Sequence, residues 1–277
     1  MSAAASVPLS GLLVLLGAGK MGGAMLEGWL AQGVPADRIV TLDPSPPPEV
    51  AALIASRGVS HNPDPASLKG LEVLLVAVKP QVMDDVLANL GTLPGEKPLV
   101  VSVAAGKTIA SFEKHFGSDA AIVRSIPNTP AAIGRGITAM ALNRNVSAAQ
   151  RALAQSLLGA VGEVVTVEDE SLIDVATAVS GSGPAYVFYV TECLAQAGAK
   201  AGLPADLAMQ LARATVAGAG ELMRASGLPA ATLRQNVTSP KGTTHAALQV
   251  LMAENGIGPL FEAAVAAAAR RSRELAS

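Results

Sequence analysis

The sequence predicts an α/β protein, with a doubly wound parallel sheet in residues 1–167 and an all-helical domain in residues 168–277. Three observations predict it. Short apolar runs alternate with helical stretches through the first part, the pattern of parallel strands covered on both faces. A glycine triad with G-x-G-x-x-G spacing follows the first of those runs. After Val167 the strand signals stop and the remaining segments read as helices broken by Gly and Pro.

Leu12-Leu-Val-Leu-Leu16 is the first strand, and it ends in Gly17-Ala-Gly-Lys-Met-Gly22. Met21, Met25, Leu26, Trp29 and Leu30 then recur at helical spacing until Gly33. Arg38–Asp43 reads as the second strand, closed by Pro-Ser-Pro-Pro-Pro, which continues neither a strand nor a helix interior. Leu71–Val78, Pro98–Val103 and Ala120–Ile126 are further buried strands, and Gly136–Leu142 and Gly162–Val167 two shorter ones. Ser147 is placed to cap a helix ending at Leu158. Helices are expected over Leu172–Ser180, Gly183–Gly202, Ala205–Ser226, Ala230–Gln235, Thr244–Glu254 and Pro259–Leu275. Several are apolar on more than one face, which favours burial against a second copy of the chain.

Composition excludes several classes. Of 277 residues, 50% are hydrophobic and 15% charged, so the chain is neither disordered nor too small for a core. The net charge of −2, with basic residues clustered only at Arg270-Arg-Ser-Arg273, argues against a nucleic-acid partner. The single cysteine, Cys193, cannot form an internal disulfide and is expected as a buried structural thiol. His61, His115 and His245 fit no metal-ligand spacing, so no metal site is expected. The N-terminus lacks a basic region before its apolar run, and that run is too short to span a bilayer; we expect no signal peptide, no membrane contact and a cytoplasmic protein.

The glycine triad has a specific use in a Rossmann-type fold. Gly17 permits the tight turn, Gly19 lets backbone approach a pyrophosphate, and Gly22 lets helix and sheet pack closely. Asp43 ends the second strand, where a carboxylate accepts a ribose 2′-hydroxyl and repels a 2′-phosphate, favouring NADH. The prolines that follow could instead turn Asp43 away and leave Arg57 or Lys69 to meet a phosphate. Val78-Lys-Pro-Gln81 and Arg124-Ser-Ile-Pro-Asn-Thr-Pro130 lie at the carboxyl ends of strands, where such folds bind ligands. Lys79 is either a surface lysine or a cofactor contact, and the loop around Asn128 either a rigid turn or a presenter of polar groups.

Two segments of the helical part bear on chemistry. Ser180-Gly-Ser-Gly-Pro-Ala185 opens a long helix whose next residues include Tyr186, Val187, Phe188 and Thr191. The lysine that β-hydroxyacid dehydrogenases carry there is missing. Reducing a ketone requires a proton for the alkoxide, so its absence points to a carbon–nitrogen double bond as hydride acceptor. Asn236-Val-Thr-Ser-Pro-Lys-Gly-Thr-Thr-His245 interrupts the helices with hydroxyls, Pro and Gly. It reads either as a backbone nest for a small carboxylate or as a helix start capped by threonine.

In their order, GAGKMG, VKPQ, SVAAG, RSIPNTPAAIGRG, AVSGSGPAYVF and NVTSPKGTTHAAL resemble pyrroline-5-carboxylate reductase from Leu12 to Leu275. The resemblance implies reduction of 1-pyrroline-5-carboxylate to L-proline with NADPH or NADH. It also implies a Rossmann domain followed by a helical dimerisation domain, and homodimers that assemble further, commonly into decamers. Gly17, Ala18, Gly19, Lys20, Met21 and Gly22 would then hold the pyrophosphate, Asn62 would lie near the adenosine ribose, and Val78, Lys79 and Pro80 near the nicotinamide ribose. Ser239, Lys241, Gly242 and Thr243 would receive the substrate carboxylate, and Thr244 would set its hydroxyl against the ring nitrogen as the catalytic group. Two positions depart from the family pattern. Lys241 stands where many relatives have glycine, at a cost of about 1 kcal/mol or more if φ is positive. Asp43 stands where NADPH-preferring relatives carry polar or basic residues. A related imine or ketone reductase, or a nucleotide-binding sensor without turnover, remain the alternatives.

Overall fold

The computed structural model describes residues 7–90 and 97–276; the first six residues, part of the N-terminal reading, lie outside that range. Leu12–Leu16 forms β1, a run buried at every residue but its first. Leu13 and Leu15 face one core layer, Val14 and Leu16 the other. That two-sided burial is why the strand has no polar alternation. Helix α1 (Lys20–Ala31) packs beside it, then β2 (Ile39–Leu42), α2 (Pro48–Arg57), β3 (Ser60–His61) and β4 (Leu71–Val76). The proline run does not only interrupt the chain, because Pro48 sits in the first turn of α2, where its missing N–H costs nothing. Helix α3 (Met83–Asn89), β5 (Leu99–Ser102), α4 (Ile109–Phe116) and β6 (Ile122–Ile126) continue the winding.

Among the described residues the sheet has eight strands in the order β3-β2-β1-β4-β5-β6-β7-β8, with β7 at Gly136–Leu142 and β8 at Gly162–Thr166. One pairing departs from the expected parallel sheet: β6 and β7 run antiparallel. The loop between them, residues 127–135, holds only a 3-10 turn, too short for the crossover a parallel pair needs. Helix α5 (Ala148–Leu158) starts on Ser147, whose hydroxyl accepts from Gln150 N–H while the Gln150 side chain accepts from Ser147 N–H. This is the capping box the sequence suggests at one end.

Helix α6 (Leu172–Ala176) runs into a π-helical turn at Thr177–Gly181. The guanidinium of Arg124 on β6 is almost fully buried, and donates to Glu170 (2.9 Å) and to Asp174 on α6 (3.4 Å). Asp174 also accepts from the Ser272 hydroxyl at 2.7 Å. Burying such charges is tolerable only because each is paired and hydrogen-bonded.

The chain divides into two compact units, one running to Gly181 and resuming at Ala268, the other Ser182–Ala267. The second holds α7 (Gly183–Lys200), α8 (Ala205–Ser226), α9 (Ala230–Asn236), α10 (Thr243–Leu251) and most of α11 (Ile257–Ala276). Helices α7 and α8 pack together, and Tyr186 meets Phe261 edge to face at 6.3 Å. Little else of α7 is covered: Ala195 is its one buried residue, while Phe188 and Tyr189 are 63% and 65% exposed. Cys193 therefore departs from expectation, since it is exposed on the single chain. An apolar helical pattern marks burial but does not say that the same chain supplies it. No described helix is long and apolar enough to cross a membrane.

Trp29 on α1 is fully buried and its indole N–H donates to Leu157 O at 2.8 Å. Trp29→Ala should lower unfolding stability by about 3–5 kcal/mol, read from the denaturant midpoint by circular dichroism. A loss under about 1 kcal/mol would mean that α1 is not locked to α5 through this side chain.

Candidate active site

The junction of β1 and α1 is built from glycines with different jobs. Gly17 has φ +95°, and a Cβ there would lie 2.9 Å from the Ala77 and Val78 backbone. A Cβ on Gly22 would overlap the carbonyl oxygen of Gly17, so α1 sits flush on the turn. Gly19 differs, because a Cβ there meets nothing within 4 Å. It is the N-cap of α1, with no side-chain cap and no acidic residue in the first turn. The amino end of the helix therefore presents uncapped N–H groups and positive dipole to open space. Lys20 adds a cation at this end, where it opposes the dipole by about 0.3–1 kcal/mol and has no ion pair among the described residues. An anion such as a pyrophosphate offsets both positive charges.

A groove of about 1020 Å³ opens in front of this turn. Gly17, Gly19, Lys20, Met21, Asp43, Asn62, Val78 and Lys79 line it as the sequence suggests. Ala18 is fully buried behind it, and Gly22 and Pro80 are not in the lining. Val82, Val86 and Leu90 form an apolar wall that sequence reading missed. Their four-residue spacing after Val78-Lys-Pro-Gln was the available signal, and Val82 is 46% exposed. The size, the open Gly19 and the uncapped helix end all fit a dinucleotide. Lys20 and Lys79 are the cations in the lining; Arg57 and Lys69 are not part of it. A second cavity of about 700 Å³ lies by Gly11, Leu71 and Leu99, at the amino ends of β1, β4 and β5. That is the edge opposite to the one where open α/β sheets bind ligands, and the glycine turn is far from it.

Asp43 follows β2, with each carboxylate oxygen on a backbone amide. Oδ2 accepts from Ala18 N–H at 2.7 Å and Oδ1 from Ser45 N–H at 2.8 Å. Asn62 pairs with the Asp43 backbone from the other side: its Oδ1 accepts from Asp43 N–H and its Nδ2 donates to Asp43 O, both at 2.9 Å. Asn62 has φ +51°, an unusual conformation that asparagine tolerates better than most residues. In the 127–135 loop, the Asn128 amide is spent on backbone, donating to Ser180 O and accepting from Ile137 N–H. The rigid-turn reading of that loop therefore holds for Asn128.

In the second unit, Ser239-Pro-Lys-Gly242 is a turn closed by Gly242 N–H to Ser239 O at 3.1 Å. Lys241 occupies its third position with φ +60°, the left-handed conformation that favours glycine. A Cβ on Gly242 would overlap the Ser239 hydroxyl, so a larger residue there would make that side chain turn away. Gly242 is also the N-cap of α10 and provides no side-chain cap. The hydroxyls of Ser239, Thr243 and Thr244 make no hydrogen bond with described residues, whereas that of Thr238 is bound to Arg234 O at 2.6 Å. The threonines therefore do not cap the helix. The turn leaves a cluster of unspent N–H and O–H donors at a helix start, a cradle for a small anion.

Comparison with known proteins agrees with these features. A family model described as pyrroline-5-carboxylate reductase dimerisation matches residues 170–275, and one described as NADP oxidoreductase, coenzyme F420-dependent, matches residues 12–106. The chain is 40% identical to a pyrroline-5-carboxylate reductase of Pseudomonas aeruginosa, covering 95% of this chain and 96% of that one. The solved structure of a pyrroline-5-carboxylate reductase from Coxiella burnetii superimposes with TM-score 0.89 at 34% identity, covering 97% and 100%. A Plasmodium falciparum pyrroline carboxylate reductase with NADP bound gives TM-score 0.77 at 29% identity, covering 96% and 98%.

Lys241→Gly removes the cost of a side chain at positive φ, of order 1–2 kcal/mol, less part of that returned by the freer unfolded chain. We expect a net gain of up to about 1 kcal/mol in denaturant unfolding. A loss of stability would show that the Lys241 side chain makes a compensating contact.

Proposed function

The chain belongs to the pyrroline-5-carboxylate reductase family, and from that premise we propose which residues do what. It is an NAD(P)H-dependent oxidoreductase that reduces 1-pyrroline-5-carboxylate to L-proline in proline biosynthesis, and it assembles with copies of itself. The observation that carries our assignment is the unspent donor cluster at Ser239–Thr244. It matches a substrate whose one fixed charge is a carboxylate.

In this reading Gly19, Lys20 and Met21 hold the pyrophosphate at the amino end of α1. Val78 and Lys79 hold the nicotinamide side. Bound there, the reduced nicotinamide supplies a hydride to C5 of the pyrroline ring. The Lys241 and Thr243 N–H groups and the Ser239 and Thr243 hydroxyls fix the substrate carboxylate, at the turn that Gly242 closes. The Thr244 hydroxyl holds the ring nitrogen. The new C–H bond forms at C5 as the π electrons of the C=N bond move onto nitrogen. A protonated imine already carries the proton of the product amine, so no acidic side chain is required. The chain contributes orientation and electrostatic fixing.

We propose NADH as the preferred donor. The groove around Asp43 is lined by Pro44, Ser45, Pro47, Asn62 and Pro63, with no cation to meet a 2′-phosphate. The Asp43 charge at that end disfavours a second anion. We assign residues 168–277 to dimerisation and substrate binding, with dimers as the unit and decamers as a higher assembly.

Two measurements test this. Thr244→Ala should lower kcat at saturating cofactor by about tenfold or more, the value of a hydrogen bond to a charged group, with NADH affinity unchanged and Thr244→Ser largely active. Undiminished turnover would remove Thr244 from the reaction. For the cofactor, pyrroline-5-carboxylate-dependent oxidation should show kcat/KM for NADH above that for NADPH by at least about fivefold, as about 1 kcal/mol of charge repulsion requires. Equal values, or a preference for NADPH, would overturn the NADH assignment.

A further inference from the structure

We propose that Asp43 is a positioning residue for the phosphate-binding turn, held by Asn62, and that it does not work by grasping the ribose. This rests on the reading above that the groove takes a nicotinamide dinucleotide. Ala18 lies at the centre of the Gly17–Gly19 turn and is fully buried, so its N–H has no access to water. The Asp43 carboxylate is its partner, at 2.7 Å. The other oxygen of the same group fastens Ser45 N–H at 2.8 Å, at the start of the loop that leads to α2. One carboxylate therefore ties together two loops that line the groove.

Geometry explains why the group is aimed inward. The Asn62 amide meets both the N–H and the C=O of Asp43, at 2.9 Å each, which fixes the backbone from which the carboxylate projects. Asn62 is itself pinned, its N–H donating to Thr41 O at 2.8 Å, and it stays at φ +51° to make these contacts. A residue held in a sparsely populated conformation by its surroundings marks a position where shape matters. Charge gives the second argument. A carboxylate beside a bound pyrophosphate repels it, so the negative charge of Asp43 does not serve that ligand directly. Its benefit lies in the amides it holds, which leave Gly19, Lys20 and Met21 in register for the phosphates. Ribose selection and turn positioning make different predictions for a cofactor that lacks the 2′-hydroxyl.

Calorimetric titration of the full-length protein with NADH and with its 2′-deoxyadenosine analogue separates them. The variants are Asp43→Asn, which keeps size but loses one acceptor, and Asn62→Gly, which keeps the positive φ but removes the amide. Asp43→Asn should weaken both ligands by the same factor, about tenfold or more. Asn62→Gly should weaken both equally, by a smaller factor. In both variants KM for NADH should rise while kcat at saturating cofactor stays within about twofold. A loss seen with NADH and absent with the 2′-deoxy analogue makes Asp43 a ribose ligand and overturns the proposal. So does unchanged affinity in Asp43→Asn, and unchanged affinity in Asn62→Gly removes the Asn62 link. If Asp43→Asn does not fold, Asn62→Gly decides by the same comparison. Wild-type protein that binds neither NADH nor NADPH rejects the cofactor reading itself, and this proposal with it, before any variant is made.

Discussion

The first unit depends on the close approach of α1 to β1. A helix can start directly off a strand only if the backbone between them folds back on itself, and here the oxygen of Gly17 occupies the place where a side chain on Gly22 would be. Every later feature of the groove uses that approach. It points the amino end of α1 along the carboxyl edge of the sheet, and it buries Ala18 so that an internal acceptor must be found for its amide. The Arg124, Glu170, Asp174 and Ser272 cluster serves the same unit differently, joining β6, α6 and the end of α11 through buried charge. Leaving any of these buried groups unpaired would be costly, which favours the arrangement in which they meet.

The two anion cradles follow one physical rule. Helices α4 and α5 begin on Thr108 and Ser147, whose hydroxyls satisfy the first turn. Helices α1 and α10 begin on Gly19 and Gly242, which have nothing to offer it. Where a side chain closes the first turn, the helix end is finished. Where glycine stands, the N–H groups remain for a ligand. The chemistry divides accordingly, with phosphate charge assigned to the first unit and a carboxylate to the second. Thr244 then has its hydroxyl unspent, which a cap would have consumed.

The helical unit also shows how self-association enters a fold. Phe188, Tyr189, Leu260 and Val250 are far more exposed than one chain in water would favour. A dimerisation module resolves this, since a second copy supplies the missing apolar partner. Cys193, expected to be buried, lies exposed on α7, the helix of Phe188 and Tyr189.

Local pattern was enough for much of this protein. Leu12–Leu16, the N-cap at Ser147 and the span of α8 from Ala205 to Ser226 were legible because each is decided within a few turns of chain. A positive φ at Lys241 was raised only as a condition, from the glycine that relatives carry there; the turn at Ser239–Gly242 does place it at +60°. Other features depended on residues distant in sequence. The reversed pairing of β7 and the two-residue β3 carry no local signature, and the spacing of Val82, Val86 and Leu90 marks an apolar face without saying that it lines the groove. Asp43 is the clearest case. Its place after the second strand suggested a ribose contact, but its partners are Ala18, 25 residues earlier, and an amide bracket from Asn62, 19 residues later. Sequence determined which residue types stood at the site and where backbone had to bend; tertiary structure alone decided which donor each acceptor met, because hydrogen bonds are set by distance in space and not along the chain.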